Sequence, residues 1–419
     1  MDKTKSTPSL WTKDFTIITV GSAVSMLGTS MAGFAMSLLV LDYTQSNFLY
    51  AIYIAVYTLP QIIMPIFSGA YLDRFSRRKT IYTLDFISAG LYGGAAILLN
   101  SGWFNFPVLA VFCFLLGSIN SIYTVAYQSF YPLLITEGNY SKAYSMSSLL
   151  ETLSAVMIPV ATFAYNITGI APLLAINAAT FFIAAVMETR ITAVEEYIDL
   201  RKDESTSSLG TTTQMFFTDI KEGILYLAKE KGLLAITIYF TITAFAGGAS
   251  SVITLPYFKT TFENGEYVYM LVWGMQVVGR GLGSMLHYRF SYPSKIKYAT
   301  ALSVYLITTL VEAFYLYTNI PIMMGCCFLA GILGVTSYTI RISSTQNYVP
   351  DEKKGRYNGA FNMLTTVGCF AGEMLAGVLT VVVSARSVLT GFMLLNAVAA
   401  LIVVGGNKKE ISKIYNREL

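Results

Sequence analysis

Long apolar runs separated by short polar loops dominate this chain. A helix needs about 20 apolar residues to cross a bilayer, and the sequence contains twelve runs of about that length. The runs are continuous rather than alternating, which excludes the strands of a membrane β-barrel. The pattern predicts an all-α integral membrane protein with twelve transmembrane helices. The predicted spans are approximately 15–41, 48–71, 79–99, 105–130, 143–166, 170–189, 233–256, 266–287, 297–317, 320–345, 357–383 and 386–406.

Composition supports a membrane protein and narrows its chemistry. The 419 residues are 54% hydrophobic and 12% charged, whereas a soluble domain carries about 25% charged residues. The four cysteines lie inside apolar runs and are interpreted as packing residues rather than disulfides. His287 is the single histidine, and no nucleophile triad or acidic metal cluster is evident. The sequence therefore predicts neither an enzyme nor a metal site.

The distribution of positive charge predicts the orientation. With twelve spans and both termini in the cytoplasm, 24 of the 28 Lys and Arg residues fall in cytoplasmic segments. Cytoplasmic loops of membrane proteins carry such an excess of cations. A wrong number of spans would scramble this partition, so the sequence predicts that both termini are cytoplasmic.

A polar stretch divides the twelve spans into two sets of six. The predicted organisation is an N-terminal six-helix bundle at 1–190, a cytoplasmic linker at 191–219 and a C-terminal six-helix bundle at 220–419. A shift of 214 residues places Gly69 on Gly283 and Lys142 on Arg356. This weak repeat is typical of secondary transporters, whose substrate site lies near the midplane at the repeat interface.

The loop between the second and third predicted spans carries a family resemblance. It resembles the major facilitator superfamily signature Gly-x-x-x-Asp-Arg-x-Gly-Arg-Arg. The matching residues are Gly69, Asp73, Arg74, Arg77 and Arg78, whereas Ser76 stands where Gly is usual. Within that superfamily, the segments 77–85, 222–227 and 349–356 resemble bacterial macrolide-efflux and siderophore-exporter pumps.

The resemblance implies two pseudo-symmetric six-helix bundles and secondary active transport by alternating access. The expected function is proton-coupled efflux of an amphipathic small molecule, drug-like or siderophore-like, with antibiotic resistance as a consequence. Phe112–Pro132 lacks the Arg that many proton-driven exporters carry in span four. An importer or lipid transporter on the same fold remains an alternative, as does a membrane sensor or scaffold.

The same resemblance implies that Asp73 and the arginines of the loop act as a cytoplasmic latch. The acid would meet the start of span eleven, where free helix N–H groups favour a carboxylate. The alternative is a loop that only orients the chain in the membrane.

Charges inside spans are costly and are usually functional or paired. The candidates for coupling are Glu151, Arg280, Glu312 and Glu373. Glu151 and Arg280 are predicted to approach each other in one state; alternatively, Arg280 pairs within its own half, for example with Glu312. Glu373 is either a proton carrier or a structural hydrogen-bonding group, and Glu312 is interpreted as structural.

Other charged positions have simpler interpretations. Asp85 and Arg341 are placed near the cytoplasmic interface, where they could snorkel. The glycines of Gly279-Arg-Gly281-Leu-Gly283 lie inside a span, so they are predicted to allow close helix packing rather than to bind a nucleotide.

The remaining expectations follow from the resembled fold, in which spans one, four, seven and ten line the cavity. The predicted cavity residues in these spans are Met26, Phe34, Asn120, Tyr123, Tyr127, Tyr239 and Tyr338, and Tyr57 of span two and Gln276 of span eight could join them. No cofactor is expected; the proton is the expected coupling ion. The expected partners are the substrate and membrane lipid, without nucleic acid, and the expected form is a monomer in a bacterial cytoplasmic membrane.

Overall fold

The computed structural model describes residues 9–72, 75–136, 139–193, 195, 221–289 and 293–417. These residues are almost entirely helical, and none of them lies in a strand. Ten of the described helices are long and apolar enough to cross a membrane. The fifth and eighth helices, with 29 and 25 residues, are long enough to cross as well and complete the twelve. The predicted fold class is confirmed; the side of the membrane on which the termini lie stays a prediction.

Six long helices make up the first half of the chain. They are α1 (Lys13–Thr44), α2 (Asn47–Leu72), α3 (Arg77–Asn100), α4 (Phe106–Phe130), α5 (Tyr140–Thr168) and α6 (Ile170–Glu188). Polar caps start α1, α3 and α4, since free N–H groups at a helix start need acceptors. Thr12 accepts from the backbone N–H of Phe15, and Asn105 accepts from that of Val108. Gly169, with φ +75°, separates α5 from α6.

Six long helices follow in the second half. They are α7 (Lys231–Thr261), α8 (Gly265–Arg289), α9 (Lys297–Phe314), α10 (Ile320–Tyr348), α11 (Asp351–Leu379) and α12 (Ala385–Ala399), which continues as a π-helix over Ala400–Gly405. Residues 221–229 form a helical segment before α7. A short helix, α13 (Lys408–Tyr415), ends the described chain.

The described residues group into two compact units. Unit 1 lies within residues 1–45 and 56–214, and unit 2 lies within 46–55 and 215–419. Unit 1 has a buried cluster around Phe15, Phe130 and Tyr131, near the start of α1 and the end of α4. Unit 2 has two such clusters, one around Tyr239 and Tyr305 and one around Phe258 and Phe392. The predicted boundaries of the linker fall mostly outside the described residues, so they stay a prediction.

Glycines bring the helices of unit 2 into backbone contact. A Cβ added at Gly279 of α8 would lie 2.1 Å from the carbonyl oxygen of Phe328 of α10, and one at Gly331 would lie 2.2 Å from that of Gln276. In lipid, helices associate through such close packing because the surrounding tails are as apolar as the side chains. The packing role predicted for Gly279 therefore matches its place in the fold, and Gly283 likewise faces Ile332. A Cβ at Gly281 would meet no atom within 4 Å, so Gly281 does not share this role.

Candidate functional site

Unit 1 encloses a cavity of about 280 Å³. Side chains or backbone from α1 to α6 line it, so its shape depends on how these helices pack. Tyr92 and Phe181 stack on its wall with ring centroids 5.6 Å apart. The wall combines aromatic rings with small side chains that carry hydroxyl groups. The lining residues are Ser25, Met26, Thr29, Ser30, Tyr57, Asp85, Ser88, Tyr92, Leu116, Ile119, Asn120, Tyr123, Ser154 and Phe181.

Four residues that the sequence predicted for a cavity meet here: Met26, Tyr57, Asn120 and Tyr123. The hydroxyl of Tyr123 is 3.4 Å from that of Ser22 on α1. Its ring stacks on Tyr127, which stacks in turn on Tyr131. Tyr127 therefore supports the wall without lining the cavity, and Phe34 of α1 is not among the lining residues either.

A carboxyl group that the sequence placed at the membrane interface lies on the cavity wall. Asp85 of α3 is 1% exposed and lines the cavity, so its side chain does not snorkel to the surface. Its carboxyl interacts with that of Glu188, the last residue of α6, which is 0% exposed. The sequence did not single out Glu188, because an acid at the end of a predicted span resembles an ordinary interface residue.

Unit 2 contains a smaller cavity of about 40 Å³. Gln276 of α8 and Glu312 of α9 both line it, together with Trp273 and Tyr315. The indole N–H of Trp273 is buried without a hydrogen-bond partner. Glu312, predicted to be structural, thus faces a space large enough for a water molecule.

Glu373 lies at the contact between α11 and α7. It is 3% exposed and accepts a hydrogen bond from the thiol of Cys369, one turn earlier, at 3.6 Å. The neighbouring Gly372 faces the carbonyl oxygen of Phe245 on α7, 1.9 Å from where a Cβ would lie. Both interpretations of Glu373, a proton carrier and a structural group, stay open.

The structure separates the other predicted cavity residues of unit 2. Tyr239 is 2% exposed and packs against Tyr305 with centroids 4.6 Å apart. Tyr338 is 56% exposed, and the guanidinium of Arg341 lies 5.4 Å from the centre of its ring. Arg341 also lies over Phe361 at 4.5 Å, so aromatic rings, rather than the bilayer surface alone, hold this cation.

The loop that carries the family signature is described in part. Asp73 and Arg74 lie outside the described residues, and of Gly69 only the helical backbone is described. The backbone N–H of Arg77 donates to the carboxylate of Glu195 at 2.8 Å, and the hydroxyl of Ser76 donates to the same carboxylate. Ser76, the departure from the signature, also caps α3 by accepting from the backbone N–H of Lys79 at 3.1 Å.

The two arginines of the signature reach backbone carbonyl groups of unit 1. The guanidinium of Arg77 donates to the carbonyl of Ser129 near the end of α4 at 3.1 Å. That of Arg78 donates to the carbonyl of Ile191, just beyond α6. The start of α3 therefore ties together the ends of two other helices. The latch predicted from Asp73 stays a prediction.

The predicted approach of Glu151 and Arg280 also stays a prediction, because the side chain of Glu151 lies outside the described part of the chain. Arg280 is exposed on α8. Within the described part of the chain, it forms no ion pair with Glu312. Among the described residues, no group of three or more His, Cys, Asp or Glu side chains is placed to hold a metal ion.

Comparison with known proteins identifies the family. The model of the Major Facilitator Superfamily matches residues 18–373. The chain is 22% identical over 354 residues to macrolide efflux protein A of Streptococcus pyogenes, covering 83% of this chain and 84% of that one. It is 24% identical over 312 residues to the uncharacterized MFS-type transporter YkuC of Bacillus subtilis (strain 168), covering 74% of this chain and 71% of that one.

Solved structures share the fold. A D-xylose-proton symporter matches with a TM-score of 0.70 at 13% identity, covering 98% of this chain and 100% of that one. A bacterial homologue of the iron transporter ferroportin in an inward-facing state matches with a TM-score of 0.65 at 13% identity, covering 95% and 100%. The helices, their order and the family match agree, and this chain belongs to the Major Facilitator Superfamily of transporters.

Proposed function

We propose that this protein exports an amphipathic small molecule from the bacterial cytoplasm in exchange for protons. The observation that carries this proposal is the cavity of unit 1, with aromatic walls, several hydroxyl groups and one buried carboxyl group at Asp85. Largely apolar sites with a few placed polar groups suit such ligands. The similarity to macrolide efflux protein A favours export and a drug-like substrate.

The proposed driving force is the proton gradient across the membrane. The family is one of secondary transporters, which use ion gradients. One proton moving through 100 mV releases about 2.3 kcal/mol, before any pH gradient is added. Buried carboxyl groups inside the helical units, such as Asp85 and Glu373, are suited to bind and release that proton.

Reconstituted protein tests the direction of coupling. Purified protein in proteoliposomes is given radiolabelled erythromycin or ethidium under a pH gradient of either sign. Antiport predicts uptake when the lumen is acidic, because protons leave as the probe enters. Proton symport, the importer alternative, predicts uptake when the lumen is alkaline, and this sign holds for either orientation of the protein in the vesicle.

Two further outcomes separate the remaining alternatives. Uptake of neither probe, together with movement of a fluorescent phospholipid between leaflets, would favour a lipid transporter. No transport and no probe-dependent protection of cysteines from alkylation would favour a sensor or scaffold. The variants Glu151→Gln and Glu373→Gln, tested in the same vesicles, decide whether either acid is needed for coupling.

A further inference from the structure

Two carboxyl groups meet inside unit 1 where three helices pack together. Asp85 projects from α3 and Glu188 from the end of α6, 103 positions later in the chain, and the two carboxyl groups interact. Gly21 of α1 closes the third side: a Cβ at this position would lie 3.4 Å from Oε1 of Glu188. Any longer side chain at position 21 would reach the carboxyl, so the glycine leaves room for it.

No cation neutralises the pair within the described part of the chain. Apart from the interaction between the two acids themselves, none of the four carboxyl oxygens has a hydrogen-bond partner there. The nearest cations along α3, Arg77 and Arg78, direct their guanidinium groups to backbone carbonyls. Both acids are thus buried and lack the counter-charge that buried carboxylates normally need.

The titratable group that faces the pair from α4 is Tyr123, which carries no positive charge. From α1 the neighbour is Gly21, which does not titrate, and Ser22 contacts the hydroxyl of Tyr123. On the α5 side, Ser154 lines the adjoining cavity, whereas the side chains of Lys142 and Glu151 lie outside the described part. The described surroundings therefore supply hydroxyl groups and apolar surface.

Two ionised carboxylates disfavour each other in such a site. Burial disfavours the charged form, and a second negative charge nearby disfavours it further, so paired acids share a proton. Glu188 also ends a helix, where the unpaired carbonyl groups carry partial negative charge and repel a carboxylate. Burial, the neighbouring acid and the helix end all disfavour two ionised groups at this site.

We propose that Asp85 and Glu188 form a proton-binding pair that carries the coupling proton of this transporter. The pair holds one proton as a carboxyl O–H. Release breaks that bond and passes the proton to a water molecule in the cavity, which Asp85 lines. Both carboxyl groups are then ionised until uptake, the reverse step, restores the proton. Glu188 does not line the cavity, so it exchanges its proton through Asp85. This assignment rests on the proposed proton-coupled export.

Infrared spectroscopy tests proton binding without any substrate. In purified full-length protein at neutral pH, the wild type is expected to show the carbonyl stretch of a protonated carboxylic acid. The double variant Asp85→Asn/Glu188→Gln should lose one carboxyl equivalent of that band. Glu410→Gln, which changes a half-buried acid on α13 that pairs with Lys413, is the matched control and should leave the band unchanged. A double variant that keeps the whole band would overturn the proposal.

Transport tests the coupling role. In proteoliposomes, accumulation of ethidium driven by the pH gradient should fall at least tenfold in the double variant. Exchange of external ethidium for internal ethidium should persist, because this exchange moves no net proton. Loss of both processes at normal thermal stability would contradict a role limited to coupling, and full accumulation would exclude the pair as the coupling site.

The two tests also separate this inference from the function on which it rests. If the wild type transports the probes and the variant couples normally, the pair is excluded and the proposed function stands. If the wild type transports neither probe under either gradient, the proposed function fails, while the infrared band still decides whether the pair holds a proton.

Discussion

Gly117 of α4 lies directly against the backbone carbonyl oxygen of Tyr57 of α2, so that a Cβ at position 117 would be 2.3 Å from that oxygen. The neighbouring atom belongs to the backbone and cannot turn aside as a flexible side chain can. Because Tyr57 also lines the cavity of unit 1, this contact sets both the packing of two helices and the shape of the candidate site.

Gly117→Ala should therefore destabilise unit 1. Overpacking of a tight contact costs about 1–3 kcal/mol, and the thermal unfolding temperature of the detergent-solubilised protein should fall accordingly. Gly94→Ala is the matched control, since a Cβ at Gly94 meets no atom within 4 Å. Equal unfolding temperatures for the two variants would show that the α2–α4 contact relaxes without cost.

The carboxylate of Glu195 should hold the chain beyond α6 against the start of α3. It accepts from the backbone N–H of Arg77 and from the hydroxyl of Ser76, as anions do at helix N-termini. Glu195→Ala should release this segment and speed tryptic cleavage at Arg190, measured by mass spectrometry. In the control, Glu410→Ala, cleavage at this site should match the wild type. Unchanged cleavage in Glu195→Ala would mean that other contacts hold the segment.

A buried amide connects three helices of unit 2. Asn396 of α12 accepts from the hydroxyl of Thr243 on α7 at 3.0 Å and donates to that of Thr309 on α9 at 3.4 Å. Asn396→Leu leaves polar groups without this partner, at a cost of about 1–3 kcal/mol, and should lower the unfolding temperature. Asn100→Leu, on the exposed end of α3, serves as the control. A fall of the same size in both variants would argue against a special role for the amide.

The last helix should be part of the stable fold rather than a loose tail. Ile411, Ile414 and Tyr415 of α13 are buried, and the hydroxyl of Tyr415 is 2.8 Å from that of Tyr305 on α9. Tyr415→Phe removes one partner of this buried pair, which should cost about 1–3 kcal/mol of stability. Tyr43→Phe, at an exposed position, should be neutral in the same thermal assay. If Tyr415→Phe is neutral as well, the hydroxyl pair contributes nothing to the stability of unit 2.

The helices could be predicted because their cause is local. The bilayer requires about 20 apolar residues per crossing, and the backbone inside it must satisfy its own hydrogen bonds. Each apolar run therefore specifies a helix with little reference to the rest of the chain. The glycine contacts of Gly279 and Gly283 followed from the same reasoning, since small residues inside a span favour close packing.

The candidate site could be predicted only in part. Four of the aromatic and polar residues expected in a cavity lie together in unit 1, because they occupy inward faces of helices that the family fold places there. Tyr239 and Tyr338, chosen by the same rule, lie in a packed cluster and on an exposed surface. The sequence shows which helix carries a residue. The direction in which its side chain faces depends on how that helix is rotated against its neighbours.

The amino-acid sequence by itself determined the membrane-spanning class, the number of helices and the family, because hydrophobic length and a short loop signature carry that information. Only the tertiary structure decided that Asp85 and Glu188 are neighbours. Each lies near the end of its own span, where an isolated acid is expected to reach water. The packing of α3, α6 and Gly21 of α1 instead removes both from solvent, and this enclosure by distant segments turns two ordinary interface residues into a buried carboxyl pair.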